Sequence, residues 1–119
     1  MQPREFEKLV AELFRAKGYQ VELTQATRDG GKDLMIIDKS FGNFLIYAEC
    51  KKFAPRRPVG VSIISDLAGR IDNDRATAGI VITTSYFSSE AKTFTNKIQH
   101  KMSLVDYLKL QDWIKHGLR

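Results

Sequence analysis

Leu45-Ile46-Tyr47-Ala48-Glu49-Cys50-Lys51 is a largely apolar run that ends with an acid and an amine two positions apart. Its length and composition predict a β-strand. Because side chains alternate across a strand, Tyr47, Glu49 and Lys51 share one face, and the residues between them share the other. A charged pair on a core-like strand is costly unless it is compensated, and such groups collect at functional sites.

A second carboxylate, Asp33, opens the apolar run 34–37 directly after two glycines and a lysine. If the two runs form a hairpin with a loop near residues 40–43, Asp33 and Glu49 lie side by side at one end of the sheet. Two carboxylates beside a lysine suit a hard divalent cation. The simpler alternative is a surface pair of Glu49 with Lys51 and a turn capped by Asp33. The combination of Gly-Gly-x-Asp with a strand that ends Glu-x-Lys favours the metal site.

The first segment predicts an amphipathic helix that stops at Gly18, because its apolar residues recur with helical spacing: Phe6, Leu9, Val10, Leu13 and Phe14. On this helix Glu7 borders the apolar stripe, about 20° from Phe14. It can therefore face the seam between helix and sheet. The alternative is a solvated residue at the edge of the stripe.

The remaining apolar runs predict five strands in all: 19–23, 33–38, 44–51, 79–84 and 102–105. Residues 24–32 are polar and predict a loop. Residues 61–74 keep helical spacing, and a helix between two strands favours a parallel pairing of 44–51 with 79–84.

Two further helices follow the fourth and fifth strands. Ser88 or Ser89 can cap the first of them, and Asp106 can cap the closing helix, which would turn Leu110 and Ile114 inward. The predicted fold class is α/β, with an αβββαβ core, a central mixed sheet flanked by helices, and α, β and α after it.

Size and charge indicate one soluble domain, residues 1–119, with a net charge of +5 that suits a polyanion. The run Lys51-Lys52-Phe53-Ala54-Pro55-Arg56-Arg57 holds cations and no acid beside the predicted metal site, although a solvated basic loop is the alternative. A single cysteine fits a reducing compartment. The lack of a signal-peptide pattern and of an apolar run of about 18 residues favours a cytoplasmic chain with no membrane segment.

Asp33 followed by Glu49-Cys50-Lys51 resembles the signature of the PD-(D/E)xK nuclease superfamily. The resemblance runs from about Arg4 to Leu110 and is closest to the Mrr-like branch, the type IV restriction endonuclease domain. Four flanking segments carry it: Phe6-Glu7-Lys8-Leu9-Val10, Gly18-Tyr19, Asp29-Gly30-Gly31-Lys32-Asp33 and Gly79-Ile80-Val81-Ile82-Thr83-Thr84.

The resemblance supports a role for each site residue. Asp33 and Glu49 are expected to hold Mg²⁺, or Mn²⁺ in its place, with the backbone carbonyl of Cys50 as a third ligand. Lys51 would orient or help deprotonate the attacking water, and Glu7 would reach a second ion or an outer-shell water. Five cations are expected to contact DNA phosphates: Arg28, Lys32, Lys52, Arg56 and Arg57.

The expected function is therefore metal-dependent endonucleolytic cleavage of DNA in restriction and defence. Two alternatives stay open: a structure-specific endonuclease like the archaeal Holliday-junction resolvases, and a DNA-binding module without catalysis. A single catalytic domain cuts one strand per site, so double-strand cleavage implies a homodimer or two binding events. The chain can also be part of a larger multidomain protein.

Overall fold

The computed structural model describes residues 1–24, 33–40 and 42–118. The elements alternate as predicted, and their bounds are α1 Pro3–Ala16, β1 Gln20–Leu23, β2 Leu34–Asp38, β3 Phe44–Lys51, α2 Val61–Asp74, β4 Ala78–Thr83, α3 Ser89–Asn96, β5 Met102–Val105 and α4 Tyr107–His116. The predicted loop 24–32 falls, apart from Thr24, outside the described residues.

The strands form one mixed sheet in the order β1-β2-β3-β4-β5. The pairs β1–β2 and β2–β3 are antiparallel, as short connections allow. The pairs β3–β4 and β4–β5 are parallel, and each is connected through a helix. This confirms the predicted α/β class and the parallel pairing of the third and fourth strands.

Each face of the sheet is covered by two helices. Helices α1 and α4 pack with Ala48 and Cys50 on one face. Helices α2 and α3 pack with Tyr47 on the other face. The alternation predicted for β3 is confirmed, and it leaves Glu49 and Lys51 on the α2 face at the carboxyl end of the strand.

Local signals set the ends of the helices. Gly18 follows α1 with φ of +102°, a conformation that a residue with a Cβ rarely adopts. The side chain of Ser88 accepts a hydrogen bond from the Ala91 amide and caps α3, while Asp106 accepts from the Lys109 amide and caps α4. Both predicted caps are therefore present.

The inward face of α4 differs from the prediction. Leu110 is buried as expected, but Ile114 is exposed and Trp113 is buried instead. The indole packs edge-on against Phe14 of α1, with ring centroids 5.7 Å apart. Rotating the helix toward Trp113 buries more apolar area than burying Ile114 would, so the prediction for Ile114 is wrong.

Candidate active site

Asp33 and Glu49 lie opposite one another where β2 begins and β3 ends. The register pairs Leu34 with Ala48, so the residue before Leu34 faces the residue after Ala48. The Asp33 amide donates to the Ala48 carbonyl at 2.8 Å, and Oδ2 of Asp33 accepts from the Cys50 amide at 2.6 Å. The hairpin predicted from the sequence therefore brings the two acids together.

Glu49 is a buried acid with one paired oxygen. The residue is 4% exposed. Its Oε2 lies 3.4 Å from Nζ of Lys51, which remains partly exposed. Its Oε1 is fully buried and has no hydrogen-bond partner in the described part of the chain. A buried carboxylate oxygen without a donor is costly, so this atom is where a cation or a donor group would be most stabilising.

Glu7 reaches the same region from α1. The residue is buried, and its Oε1 accepts from Nη1 of Arg4 at 2.5 Å. The same nitrogen of Arg4 also donates to the Thr24 carbonyl at 2.9 Å. Arg4 was not singled out from the sequence, although its spacing of three residues before Glu7 on a helix was a usable signal.

The charges of neighbouring acids shift the pKa values of Asp33 and Glu49. Burial raises the pKa of the Asp33 carboxyl, and the charge of Glu7 raises it further, while the hydrogen bond from the Cys50 amide opposes the shift. Burial also raises the pKa of the Glu49 carboxyl; the ammonium of Lys51 opposes this and the charge of Asp33 adds to it. Negative charge is therefore crowded at this end of the sheet.

Cys50 lies at the centre of this cluster, but its side chain points away into the core with α1 and α4. Burial raises the pKa of its thiol well above the usual range, and the charges of Asp33, Glu7 and Glu49 add to the shift. The thiol is therefore an inert core group, as predicted. The use of the Cys50 carbonyl as a ligand stays a prediction.

Hydroxyl groups at the end of β4 hold the end of β3, which carries Lys51. Thr83 is fully buried, and its Oγ1 donates to the Lys51 carbonyl at 2.7 Å. It also accepts from the Ser85 amide at 3.1 Å. Sequence reasoning missed this positioning role, although a run of hydroxyl residues at the end of a buried strand was visible.

The cations predicted to bind DNA divide into two groups. Lys52, Arg56 and Arg57 are exposed on the segment after β3. The guanidinium of Arg57 lies 4.0 Å from the centroid of the Phe53 ring, which restricts its orientation. Arg28 and Lys32 lie outside the described residues.

The carboxylates are not gathered around a common point. Within residues 1–24, 33–40 and 42–118, no three acidic, histidine or cysteine side chains are arranged so that they could hold a metal ion. The contacts explain this, because Asp33 accepts from the Cys50 amide, Glu7 pairs with Arg4, and Glu49 pairs with Lys51.

Comparisons with known proteins agree with the resemblance seen in the sequence. A family model described as restriction endonuclease matches residues 1–114. The type IV methyl-directed restriction enzyme EcoKMrr of Escherichia coli K12 is 29% identical over 109 residues, which are 87% of this chain and 35% of that protein.

Solved structures give the same result. The DNA modification-dependent restriction endonuclease AspBHI superposes with a TM-score of 0.73 at 26% identity, over 92% of this chain and 30% of that one. The MspJI restriction endonuclease, solved with a 27-mer oligonucleotide, superposes with a TM-score of 0.66 at 23% identity, over 87% of this chain and 25% of that one. The second likeness establishes the fold alone.

This chain is short beside its relatives. It spans 28% and 35% of the lengths of two curated relatives that it matches. In the part of the chain that the structure describes, none of the helices is long and apolar enough to cross a bilayer.

Proposed function

Because the chain belongs to the restriction endonuclease family whose model its residues 1–114 match, we propose that it is a metal-dependent DNA endonuclease of the type IV, Mrr-like class. Residues 1–119 would form a single nuclease domain. The observation that supports this most strongly is the position of Asp33 opposite Glu49, with Lys51 two residues further along β3.

The chemistry of these residues suits a divalent cation, although the acids would have to exchange their present contacts to meet around one. The buried Oε1 of Glu49 has no donor among the described residues, and burial raises the pKa values of the Asp33 and Glu49 carboxyls. A cation beside them would stabilise both the unpaired oxygen and the two buried negative charges. Oxygen ligands suit Mg²⁺, with Mn²⁺ as a substitute. Asp33, Glu49 and the Cys50 carbonyl would hold the ion, which when bound lowers the pKa of its water and neutralises charge on phosphate oxygens.

The other side chains have separate tasks. Lys51 is partly exposed and anchored through its carbonyl by Thr83, so its ammonium can reach substrate. There it would orient the attacking water and stabilise negative charge that develops on the phosphate. Glu7 could serve a second ion or an outer-shell water only after it exchanges its contact with Arg4.

The basic segment after β3 would position the DNA. Lys52, Arg56 and Arg57 are exposed next to the acids, and Arg28 and Lys32 are proposed to add further phosphate contacts. Such contacts orient a duplex without reading its sequence. Binding should therefore weaken steeply as the salt concentration rises.

Cleavage assays with matched variants test this proposal. Mg²⁺ or Mn²⁺ should support cleavage of DNA and a chelator should stop it, while Asp33→Asn and Lys51→Ala should abolish it. The Asn side chain keeps an oxygen that can accept from the Cys50 amide, so the loss would not reflect unfolding. Lys39→Ala removes an exposed lysine just past the opposite end of the hairpin and should cleave like the unmodified chain.

The choice of substrates separates the alternatives. Methylated, unmethylated and four-way-junction DNA should be compared at equal concentration. Preferential cutting of the junction would replace the Mrr-like assignment by a resolvase-like one. Salt-sensitive DNA binding without cleavage under any metal would indicate a non-catalytic module, and undiminished cleavage by Asp33→Asn or Lys51→Ala would exclude the proposed site.

A further inference from the structure

A cavity of about 440 Å³ lies beside the candidate active site, lined by Pro55 and by residues 84–86 and 106–108. We call it the tyrosine pocket, after Tyr86 and Tyr107. Residues 84–86 follow β4 and residues 106–108 follow β5, so the pocket lies at the carboxyl ends of two parallel strands. Ligands of open α/β sheets bind at this edge.

The pocket is close to the proposed chemistry. Lys51 ends β3, which is the parallel neighbour of β4, and Lys51 pairs in register with Thr83. Neighbouring strands are about 5 Å apart, so the pocket lies on the order of 10 Å from the backbone of Lys51. A DNA strand cut at the active site could reach the pocket within a few nucleotides.

Exposed apolar side chains are concentrated in the pocket. Tyr86 is 45% exposed, Tyr107 is 48% exposed and Leu108 is 76% exposed. Among the described residues seven large hydrophobic side chains are exposed, and three of them line this one cavity. Such clustering marks a binding surface rather than incidental exposure.

The basic segment after β3 is hydrogen-bonded to the wall of the tyrosine pocket. Thr84 Oγ1 donates to the Phe53 carbonyl at 2.7 Å, and the Tyr86 hydroxyl donates to the Arg56 carbonyl at 3.4 Å. The hydroxyl of Ser85 donates to the Arg57 carbonyl. The wall of the pocket therefore anchors the segment on which Lys52, Arg56 and Arg57 are exposed.

The chemistry of the lining distinguishes a base from a phosphate. Asp106 caps α4 through Oδ1, and a carboxylate has a second oxygen that can accept from the amino group of a base. The same carboxylate repels a phosphate, which the neighbouring cations would attract. Aromatic rings beside cations are the combination that binds unpaired nucleotides, and the volume falls within the range of small-molecule pockets, about 300–1,000 Å³.

We propose that the tyrosine pocket holds one unstacked nucleobase of the DNA, while the adjoining phosphates lie on the basic segment. This inference rests on the proposed function, because it takes DNA as the substrate. A base inside a duplex must be unstacked and unpaired before it can enter the pocket, which costs free energy that an unpaired base does not have to supply. The chain therefore prefers DNA with an unpaired nucleotide near the cleavage point.

Binding measured in chelator, where cleavage does not interfere, tests the proposal. The probes are a fluorescent duplex and the same duplex with one unpaired 2-aminopurine. The full chain should bind the second probe at least about fivefold more tightly, and the double variant Tyr86→Ala/Tyr107→Ala should lose that preference. Tyr107→Phe keeps the aromatic ring and should keep most of the preference for the second probe.

Phe44→Ala is the matched control. Phe44 is 39% exposed at the opposite end of β3, and its removal should leave the preference unchanged. Melting curves check that every variant is folded. Equal affinity of the unmodified chain for both probes would overturn the proposal, as would equal losses on both probes in the double variant. Loss of self-association with unchanged DNA affinity would show that the pocket binds a second copy of the chain instead.

The two proposals fail separately. Tyrosine-dependent binding without cleavage in Mg²⁺ would reject the nuclease function and leave the pocket assignment in place. Cleavage that needs Lys51, together with binding that ignores both tyrosines, would reject the pocket alone.

Discussion

Without metal, the Glu49→Gln variant should be more stable than the unmodified chain. With metal, it should be less stable than the unmodified chain. Glu49 is buried, its Oε1 lacks a donor among the described residues, and its Oε2 lies 3.4 Å from Nζ of Lys51. Glu49→Gln keeps the shape of the side chain and removes the charge. The variant therefore separates the cost of burying that charge from the benefit of binding a cation.

The magnitude follows from these contacts. An unpaired buried polar atom costs about 1–3 kcal/mol and more when it is charged. Glutamine still leaves a polar atom unpaired there, so it removes only the extra cost of the charge, while the ion pair that it gives up with Lys51 contributes at most about 1 kcal/mol. In chelator we therefore expect Glu49→Gln to raise the free energy of unfolding by about 1 kcal/mol, or Tm by about 4 °C. The unmodified chain should gain about 2.7 kcal/mol when Mg²⁺ is at a hundred times its Kd, and the variant should gain far less.

Urea denaturation with and without Mg²⁺ measures both effects. The chain has one tryptophan, and Trp113 is buried between α1 and α4, so its fluorescence reports unfolding. Glu22→Gln makes the same change at an exposed position on β1 and should stay within about 0.5 kcal/mol under both conditions. A variant less stable than the unmodified chain in chelator, or with an equal gain from Mg²⁺, would refute this reasoning.

Three further expectations concern contacts in and beside the sheet. Thr83→Val should cost about 1–3 kcal/mol in urea denaturation and slow cleavage, because the buried Ser85 amide loses its acceptor and the Lys51 carbonyl loses one of its donors. Gly79→Ala should cost about 1–3 kcal/mol, since its Cβ would lie 2.3 Å from Cδ1 of Ile71, and adding Ile71→Val should recover part of the loss. Burial raises the pKa of the Cys50 thiol, so a thiol reagent should label it slowly in the native chain and rapidly in urea; fast native labelling would contradict its place in the core.

Local pattern was sufficient for most of the fold. β3, β5 and α2 have the predicted bounds, because alternation over residues 44–51 and helical spacing over residues 61–74 are properties of short stretches. Asp106 and Ser88 cap helices as predicted, since a cap depends on neighbours within one turn.

The prediction that Ile114 faces inward failed where two helical positions on α4 competed. Leu110 has apolar residues three and four positions further on, Trp113 and Ile114, and helical spacing allows either to face inward. The choice depended on Phe14, which is distant in the sequence and packs against the indole. No local rule contains that contact.

The sequence by itself determined the order of the elements, the two faces of β3 and the meeting of Asp33 with Glu49, because hairpin register and side-chain alternation are local. Only the tertiary structure decided which donor each acid meets. Asp33 accepts from the Cys50 amide, and Thr83 holds Lys51 across 32 positions of sequence. The tyrosine pocket likewise exists only because parallel pairing brings the segments after β4 and β5 to one edge. Such contacts follow from how helices and strands pack, and packing joins residues that no short window of sequence contains.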